Sequence, residues 1–341
     1  MSFLQWAGGK VKTIPHIAPF VPLQIHNYFE PFLGGGSVLI HVLQRIEDGG
    51  VELTGKVVAA DINPVLIQCF QAIKDDADSV VEALERLCAA YEACPPASSC
   101  KKHYCVCCCQ ECMYHAVRTC FNIYKSAPIV PEVETAAHFL FLNSTCYRGL
   151  YRESKAGAFN TCYWTSRPLF PKSDRILNAG YLFRKYDVQF ECCHYRDFWE
   201  RHLVDVTPAD VCYIDHPYVK QKPQKEETGR VKKRKDGDST ETADKFSKED
   251  ATWIVEWVAA NLKSSALIVL FSAYSNDLPN TFEGWPHMKT FSTHRSMTYK
   301  GAANMHECII STVPPPPRNE MVEKVIYEVA SDEIHEQDDD A

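Results

Sequence analysis

Tyr28-Phe29-Glu30-Pro31-Phe32-Leu33-Gly34-Gly35-Gly36-Ser37 runs from two aromatic residues through three glycines. This order predicts a strand, a glycine-rich turn and then a helix. Such a turn lets a ligand approach the backbone without meeting a Cβ atom. A plain tight turn is the competing reading, and the full G-x-G-x-x-G spacing of a dinucleotide site is missing. The next element outward is Val57-Val58-Ala59-Ala60-Asp61, a β-branched and apolar run ending in an acid, which predicts a buried strand. Pro64 follows at a first-turn position and opens a helix through Ile73. Val211-Cys212-Tyr213-Ile214 and Ala266-Leu267-Ile268-Val269-Leu270-Phe271 predict two more buried strands, with a helix over Ala251–Leu262 between them. Strand–helix–strand at this spacing predicts an α/β fold with a mainly parallel sheet. Late strands near Met288–Phe291 and Cys308–Val313 have no helix between them, so an antiparallel pair is expected at one edge.

Four domain-level segments are expected. Residues 1–74 and 206–313 form the α/β body, and 75–205, richer in helix and aromatic residues, form an insert. Residues 220–245 are charged, nearly devoid of apolar side chains, and read as a disordered basic loop. Residues 314–341 begin with four prolines and continue as an acidic tail. That tail accounts for the charge: 319–341 hold nine acids and one lysine, equal to the whole net charge of −8. The remainder is neutral overall, which leaves room for a local basic groove. The Lys232-Lys233-Arg234-Lys235 cluster reads as a nuclear address, a phosphate-binding arm or a solvated loop, with phosphate contact preferred.

The chain starts without a basic region followed by an apolar core, and its longest apolar stretch is far too short to span a bilayer. An intracellular protein with no membrane partner is expected, cytoplasmic or, in a eukaryotic host, nuclear. Six of the 16 cysteines fall within Cys100–Cys112. Cys105-x-x-Cys108 and Cys109-x-x-Cys112, with His103 and His115, have a spacing that could bind zinc. The crowding of all of them into one segment favours thiols carried on a helix, so no metal is expected.

Three further constellations carry chemistry. Asp61-Ile62-Asn63 closes a strand with a carboxylate that can accept hydrogen bonds from the vicinal hydroxyls of a ribose. With the glycine turn, it suggests an adenosine-containing cofactor. Asp215-His216-Pro217-Tyr218 ends another strand, where an acid and a carbonyl can accept from an exocyclic amine while the tyrosine stacks on a flipped base. An Asp-x-Pro turn with a packing tyrosine is the bland alternative. Phe3-Leu4-Gln5-Trp6-Ala7-Gly8-Gly9-Lys10 could form a lid over a carboxylate- and adenine-bearing ligand, or a simple turn before the first helix.

In order, F-L-x-W-A-G-G-K, E-P-F-x-G-x-G-S, D-I-N and D-x-P-Y resemble the motifs of the DNA adenine methylase family, the D12 class of N6-adenine methyltransferases. The segment Phe139–Asn143 through Tyr147-Arg148-Gly149-Leu150-Tyr151-Arg152 is similar to that family's entry to its DNA-reading hairpin, and Gly157-Ala158-Phe159-Asn160 to the return strand. The resemblance covers about residues 3–313. It implies a Rossmann-like S-adenosylmethionine-dependent methyltransferase with a mixed sheet, plus an inserted, mainly helical target-recognition domain with a β-hairpin.

Carried over by motif position, the cofactor residues are Trp6, Lys10, Glu30, Phe32, Gly34, Gly36, Ser37, Asp61, Ile62 and Asp215. The catalytic set is Asp215, His216, Pro217 and Tyr218, and the DNA-facing set is Gln5, Tyr147, Leu150, Arg152 and Asn160. Arg152 is the candidate for bidentate reading of a guanine. The implied reaction is direct in-line methyl transfer to N6 of adenine in a short duplex sequence, in a restriction–modification setting. The implied partner is double-stranded DNA, bound by a monomer or by a dimer on DNA.

Three departures from the family pattern matter. His216 stands where D-P-P-Y has proline, which keeps a backbone carbonyl but adds a titratable ring and frees φ. Lowered or conditional activity is expected, with a non-catalytic DNA-binding protein as the alternative. Gln5 replaces a lysine that helps read a flanking base, so the target sequence is open, and Thr161-Cys162 alters the dipeptide near the hairpin's end. An RNA adenine methyltransferase is the rival within enzymes; a dinucleotide-dependent oxidoreductase leaves the Asp215 motif without a purpose.

Overall fold

The computed structural model describes residues 2–96, 109–129, 131–164, 170–217, 246–264, 268–274, 288–295, 303–311 and 314. The expected basic loop at 220–245, the acidic tail, and His103, Cys105 and Cys108 therefore lie outside the described residues.

A seven-stranded sheet is the frame. Its strands are β2 (Tyr28–Glu30), β4 (Val57–Asp61), β5 (Gln189–Cys192), β6 (Val211–Ile214), β7 (Ile268–Tyr274), β8 (Met288–Arg295) and β9 (Ala303–Ser311). The order across the sheet is β5-β4-β2-β6-β7-β9-β8. The first five run parallel, whereas β9 pairs antiparallel with both β7 and β8. The mixed sheet with an antiparallel edge pair is thus as expected from the sequence. Two short strands, β1 (Gln24–Ile25) and β3 (Glu52–Leu53), form a separate parallel pair.

Alternation along the strands builds a core on each face of the sheet. Tyr28, Val57, Ala59, Val211, Tyr213 and Leu270 face one layer, with α2 (Ser37–Glu47), α3 (Pro64–Glu92) and α6 (Ser173–Lys185). Phe29, Val58, Ala60, Cys212, Ile214 and Phe271 face the other, with α7 (Tyr195–His202) and α8 (Lys248–Ser264). The strand order reverses between β2 and β6. In such sheets ligands bind at that switch point, outside the carboxyl ends of the strands.

α3 is broken at Asp76, whose φ of −149° and ψ of 73° are not helical. Beyond the break it packs with α4 (Gln110–Tyr124) and α5 (Glu132–Thr145), after the short α1 (Ile14–Ile17) has closed the N-terminal segment. This helical layer shares one apolar core with the first face of the sheet: Val80, Leu84, Tyr114 and Phe139 belong to the same cluster as Tyr28 and Val211. Part of the span 75–205, read from the sequence as an insert, belongs to the sheet. β5 lies inside that span yet pairs with β4 from Val58↔Gln189 to Asp61↔Cys192, so the chain has rejoined the sheet well before 206.

After α5 the chain forms an antiparallel hairpin. Tyr147 N donates to Cys162 O at 2.9 Å, Asn160 N to Arg152 O at 2.9 Å and Ser154 N to Ala158 O at 2.8 Å. The hairpin is held on α4 by Asn122, which accepts from Phe159 N at 2.7 Å and donates to Phe159 O at 3.1 Å. Lys125 adds a bond to Gly157 O at 2.6 Å and an ion pair with Glu153. Among the described residues no helix is long and apolar enough to cross a membrane.

Candidate active site

The glycine turn and the end of β4 form the first half of the site. Gly36 caps α2 with φ +66°, and a Cβ there would fall 2.7 Å from the Phe70 ring, so only glycine fits. Trp6 lies against the same turn, within 3.2 Å of where a Cβ on Gly34 would stand. Asp61 accepts from Gly34 N at 3.0 Å and from Asn63 N at 2.9 Å, which aims its carboxylate along the turn. Burial pushes the Asp61 carboxyl above its usual range, and the amides of Asn63 and Gly34 pull it back in part. Asn63 in turn caps α3 through Val65 N and Leu66 N. Beside Asp61, Ile62 is 37% exposed, an apolar side chain left at the mouth of the site.

The second half lies at the carboxyl ends of β2 and β6. Lys10, only 2% exposed, places its Nζ 2.7 Å from Asp215 Oδ2 and donates to Gly8 O at 3.2 Å. Its backbone N donates to Ser37 Oγ at 3.2 Å, which ties the N-terminal segment to the start of α2. Glu30 is buried on the same face and accepts from the Tyr28 hydroxyl at 2.7 Å. Burial is the main cause that lifts the Glu30 carboxyl to about 8; the Tyr28 bond opposes it and the Asp215 charge adds to it. Burial thus favours the protonated form of Glu30, which lies next to the Lys10–Asp215 ion pair.

His216 points the other way. Its ring stacks on Phe246 at 5.2 Å and 17°, tilts onto Phe271 at 5.5 Å, and is 6% exposed. Nδ1 lies 2.9 Å from Pro217 O, which requires the proton on Nδ1 because a carbonyl only accepts. The imidazole thus belongs to the apolar layer under α8 rather than to the face that carries Lys10. Phe32 sits in that layer too, against Tyr195 at 5.5 Å and Phe246 at 6.2 Å. Tyr218 lies outside the described residues.

A cleft of about 160 Å³ joins the two candidate sets: Trp6, Ala7 and Asn63 line one side, Leu150, Tyr151, Arg152 and Glu153 the other. Leu150 is 36% exposed, and Arg152 Nε donates to Asn160 Oδ1 at 3.0 Å across the hairpin. Tyr147 is set apart, with its ring 4.5 Å from Trp164 and the Arg148 guanidinium over it at 5.3 Å. Three participants were not singled out in the sequence: Asn143, which binds Gln5; Asn122, which grips the hairpin; and Phe246, which receives His216. Asn143 alone carries a signal, as a polar residue closing the apolar run Phe139–Leu142.

Among the described residues no group of three or more His, Cys, Asp or Glu is placed to hold a metal ion. Cys109 and Cys112 lie buried at the start of α4 with their sulfurs 3.5 Å apart.

The donor set suits an adenosine-bearing cofactor: a carboxylate at a strand end, a glycine turn that lets it approach, an exposed aliphatic beside it and an indole over the turn. The set lies at the carboxyl ends of the parallel strands of a mixed sheet, where α/β folds bind ligands. The model of the D12 class of N6 adenine-specific DNA methyltransferases matches residues 6–273, and the chain belongs to that family. It is 34% identical over 224 residues to the type II methyltransferase M.MjaIII of Methanocaldococcus jannaschii, covering 63% of this chain and 68% of that one. It is 29% identical to the DNA adenine methylase of Escherichia coli K12, covering 64% of this chain and 65% of that protein. The corresponding protein of Haemophilus influenzae is 26% identical, with 64% and 63% covered. The chain thus matches about two-thirds of the length of these relatives.

Proposed function

We propose that this adenine-specific DNA methyltransferase acts on one short duplex sequence with S-adenosylmethionine as donor. The observation that carries this reading is the 2.7 Å pair of Lys10 and Asp215, which joins the N-terminal motif to the Asp-x-Pro-Tyr motif at the switch point. The bound donor supplies an electrophilic methyl group. Asp61 would hold its ribose, Trp6 and Ile62 would flank its adenosine, and the turn Gly34–Gly36 would let it approach the backbone.

Asp215 would accept a hydrogen bond from the exocyclic amine of a flipped adenine, and the His216 carbonyl a second one. Both bonds would draw the hydrogens toward a tetrahedral arrangement at N6, which takes the nitrogen lone pair out of conjugation with the ring and turns it toward the methyl donor. N6 would take the methyl group directly from bound S-adenosylmethionine, and the proton displaced from N6 would pass to solvent. Because the imidazole of His216 is turned into the apolar layer, the carbonyl is the only group it needs to offer. This supports an active enzyme over a non-catalytic binder. Tyr218 is proposed to stack on the adenine.

On the DNA side, Leu150, Arg152 and Asn160 are proposed to enter the duplex from the hairpin, with Arg152 held by Asn160 so that its terminal nitrogens stay forked for a guanine. Gln5 would contribute a flanking contact, and Tyr147 would act from the base of the hairpin. The helical layer and hairpin, about 77–164, would serve as the target-recognition region. Expression in bacteria lacking adenine methylation, followed by modification-sensitive sequencing, tests the reading: N6-methyladenine confined to one short motif supports it, and methyl groups on RNA alone would overturn it.

A further inference from the structure

Asn143 sits at the end of α5, 5% exposed, after four apolar residues. Its carboxamide is divided between two distant segments. Oδ1 accepts from Gln5 N at 3.0 Å, and Nδ2 donates to Gln5 O at 2.7 Å and to Gly149 O at 3.0 Å. Both amide hydrogens and the acceptor are thereby used, and both backbone groups of Gln5 are paired as a neighbouring strand would pair them. The two segments also touch directly. Gly149 takes φ +63°, and a Cβ there would lie 2.8 Å from Gln5 Cβ.

Each segment leads to a different ligand site. From Gln5 the chain continues to Trp6 over the glycine turn, and on to Gly8 and Lys10, whose ammonium meets Asp215. From Gly149 it continues to Leu150, Tyr151 and Arg152, the wall of the cleft that faces Trp6. Trp6 and Tyr151 then pack at 6.0 Å between ring centres, so a shift of either segment is felt by the other.

We propose that Asn143 is a positioning residue that couples cofactor binding to DNA binding, by fixing the lid Gln5–Lys10 to the turn that launches the hairpin. The inference rests on the function proposed above. Cofactor settling under Trp6 orders the lid; through Asn143 the lid holds Gly149 and the hairpin in the DNA-reading position. The coupling is reciprocal, so bound duplex tightens the cofactor by the same factor.

The test measures a ratio rather than a rate. A fluorescent duplex carrying the sequence that the wild-type chain methylates on plasmid DNA is titrated with and without saturating S-adenosylhomocysteine. Titration calorimetry gives the affinity of that compound alone. For the wild type we expect about tenfold tighter duplex binding with the compound present, within the usual range of coupling. Asn143→Ala, and Asn143→Asp, which keeps the acceptor and size but loses both donated bonds, should bring the ratio to within about twofold of one. Their affinity for the compound without DNA should stay near wild type, which also shows that they fold; should Asn143→Ala unfold, Asn143→Asp decides. A variant that keeps the wild-type ratio overturns the coupling, as does a wild-type ratio of one. If the wild type leaves plasmid DNA unmethylated, the proposed function fails and the coupling with it.

Discussion

At the scale of single residues, Glu30 and His216 make opposite statements about the same site. Glu30 is held near 8 against an ordinary value of 4.5, chiefly by burial. The folded protein therefore keeps a proton that the unfolded chain releases between those two values. Its contribution to stability is complete below about 4.5 and is lost as pH rises to about 8. Glu30→Gln should flatten this part of the stability profile, measured as melting temperature against pH; an equally steep fall would show that Glu30 ionises freely in the folded state. His216 offers the active site a carbonyl, while its ring packs on Phe246 and Phe271. We expect His216→Pro to lose about 1 kcal/mol of stability with the aromatic contact. It should methylate DNA no more slowly than wild type. A slower variant would put the imidazole itself in the reaction. That ring could not be oriented from the sequence, because which face of the sheet it joins depends on Phe246, thirty residues on in the chain.

Among the elements, the hairpin is held by α4 as well as by its own ladder. Its two isolated bridges, Cys146↔Tyr163 and Glu153↔Phe159, are reinforced from outside by Asn122 and Lys125. Asn122→Ala should therefore weaken duplex binding by about tenfold, the equivalent of one or two hydrogen bonds. Cofactor affinity should be unaffected, and binding titrations of each ligand separate the two effects. Equal loss of both would mean that the helical layer and the sheet respond as one body. Of the strands legible in the sequence, β4, β6 and β7 are apolar runs buried on both faces. β5 was hidden because Gln189-Phe190-Glu191-Cys192 is a half-exposed edge strand with no apolar run. The break at Asp76 was hidden as well, since neither glycine nor proline marks it. The glycine turn, Asp61 and Asp215 could be read as separate motifs. That Lys10 reaches Asp215 could not, because the pairing is made only when the N-terminal segment closes over β2 and β6.

For the whole molecule, one continuous core runs from the sheet into the helices that carry the hairpin, and the cleft between Trp6 and Leu150–Glu153 lies where the two meet. The residues proposed for cofactor and for DNA thus face each other across one cleft, the proximity that transfer from a bound donor to an extruded base demands. Asp215, held by Lys10, is proposed to present adenine N6 to the methyl donor. The most direct measurement is modification-sensitive sequencing of DNA from methylation-deficient bacteria that express the wild-type chain or Asp215→Ala. The wild type should mark adenine in one short motif. Asp215→Ala should leave that motif bare, with a loss of at least about a hundredfold, while S-adenosylhomocysteine still binds it. Methylation by Asp215→Ala at the wild-type level would contradict the account.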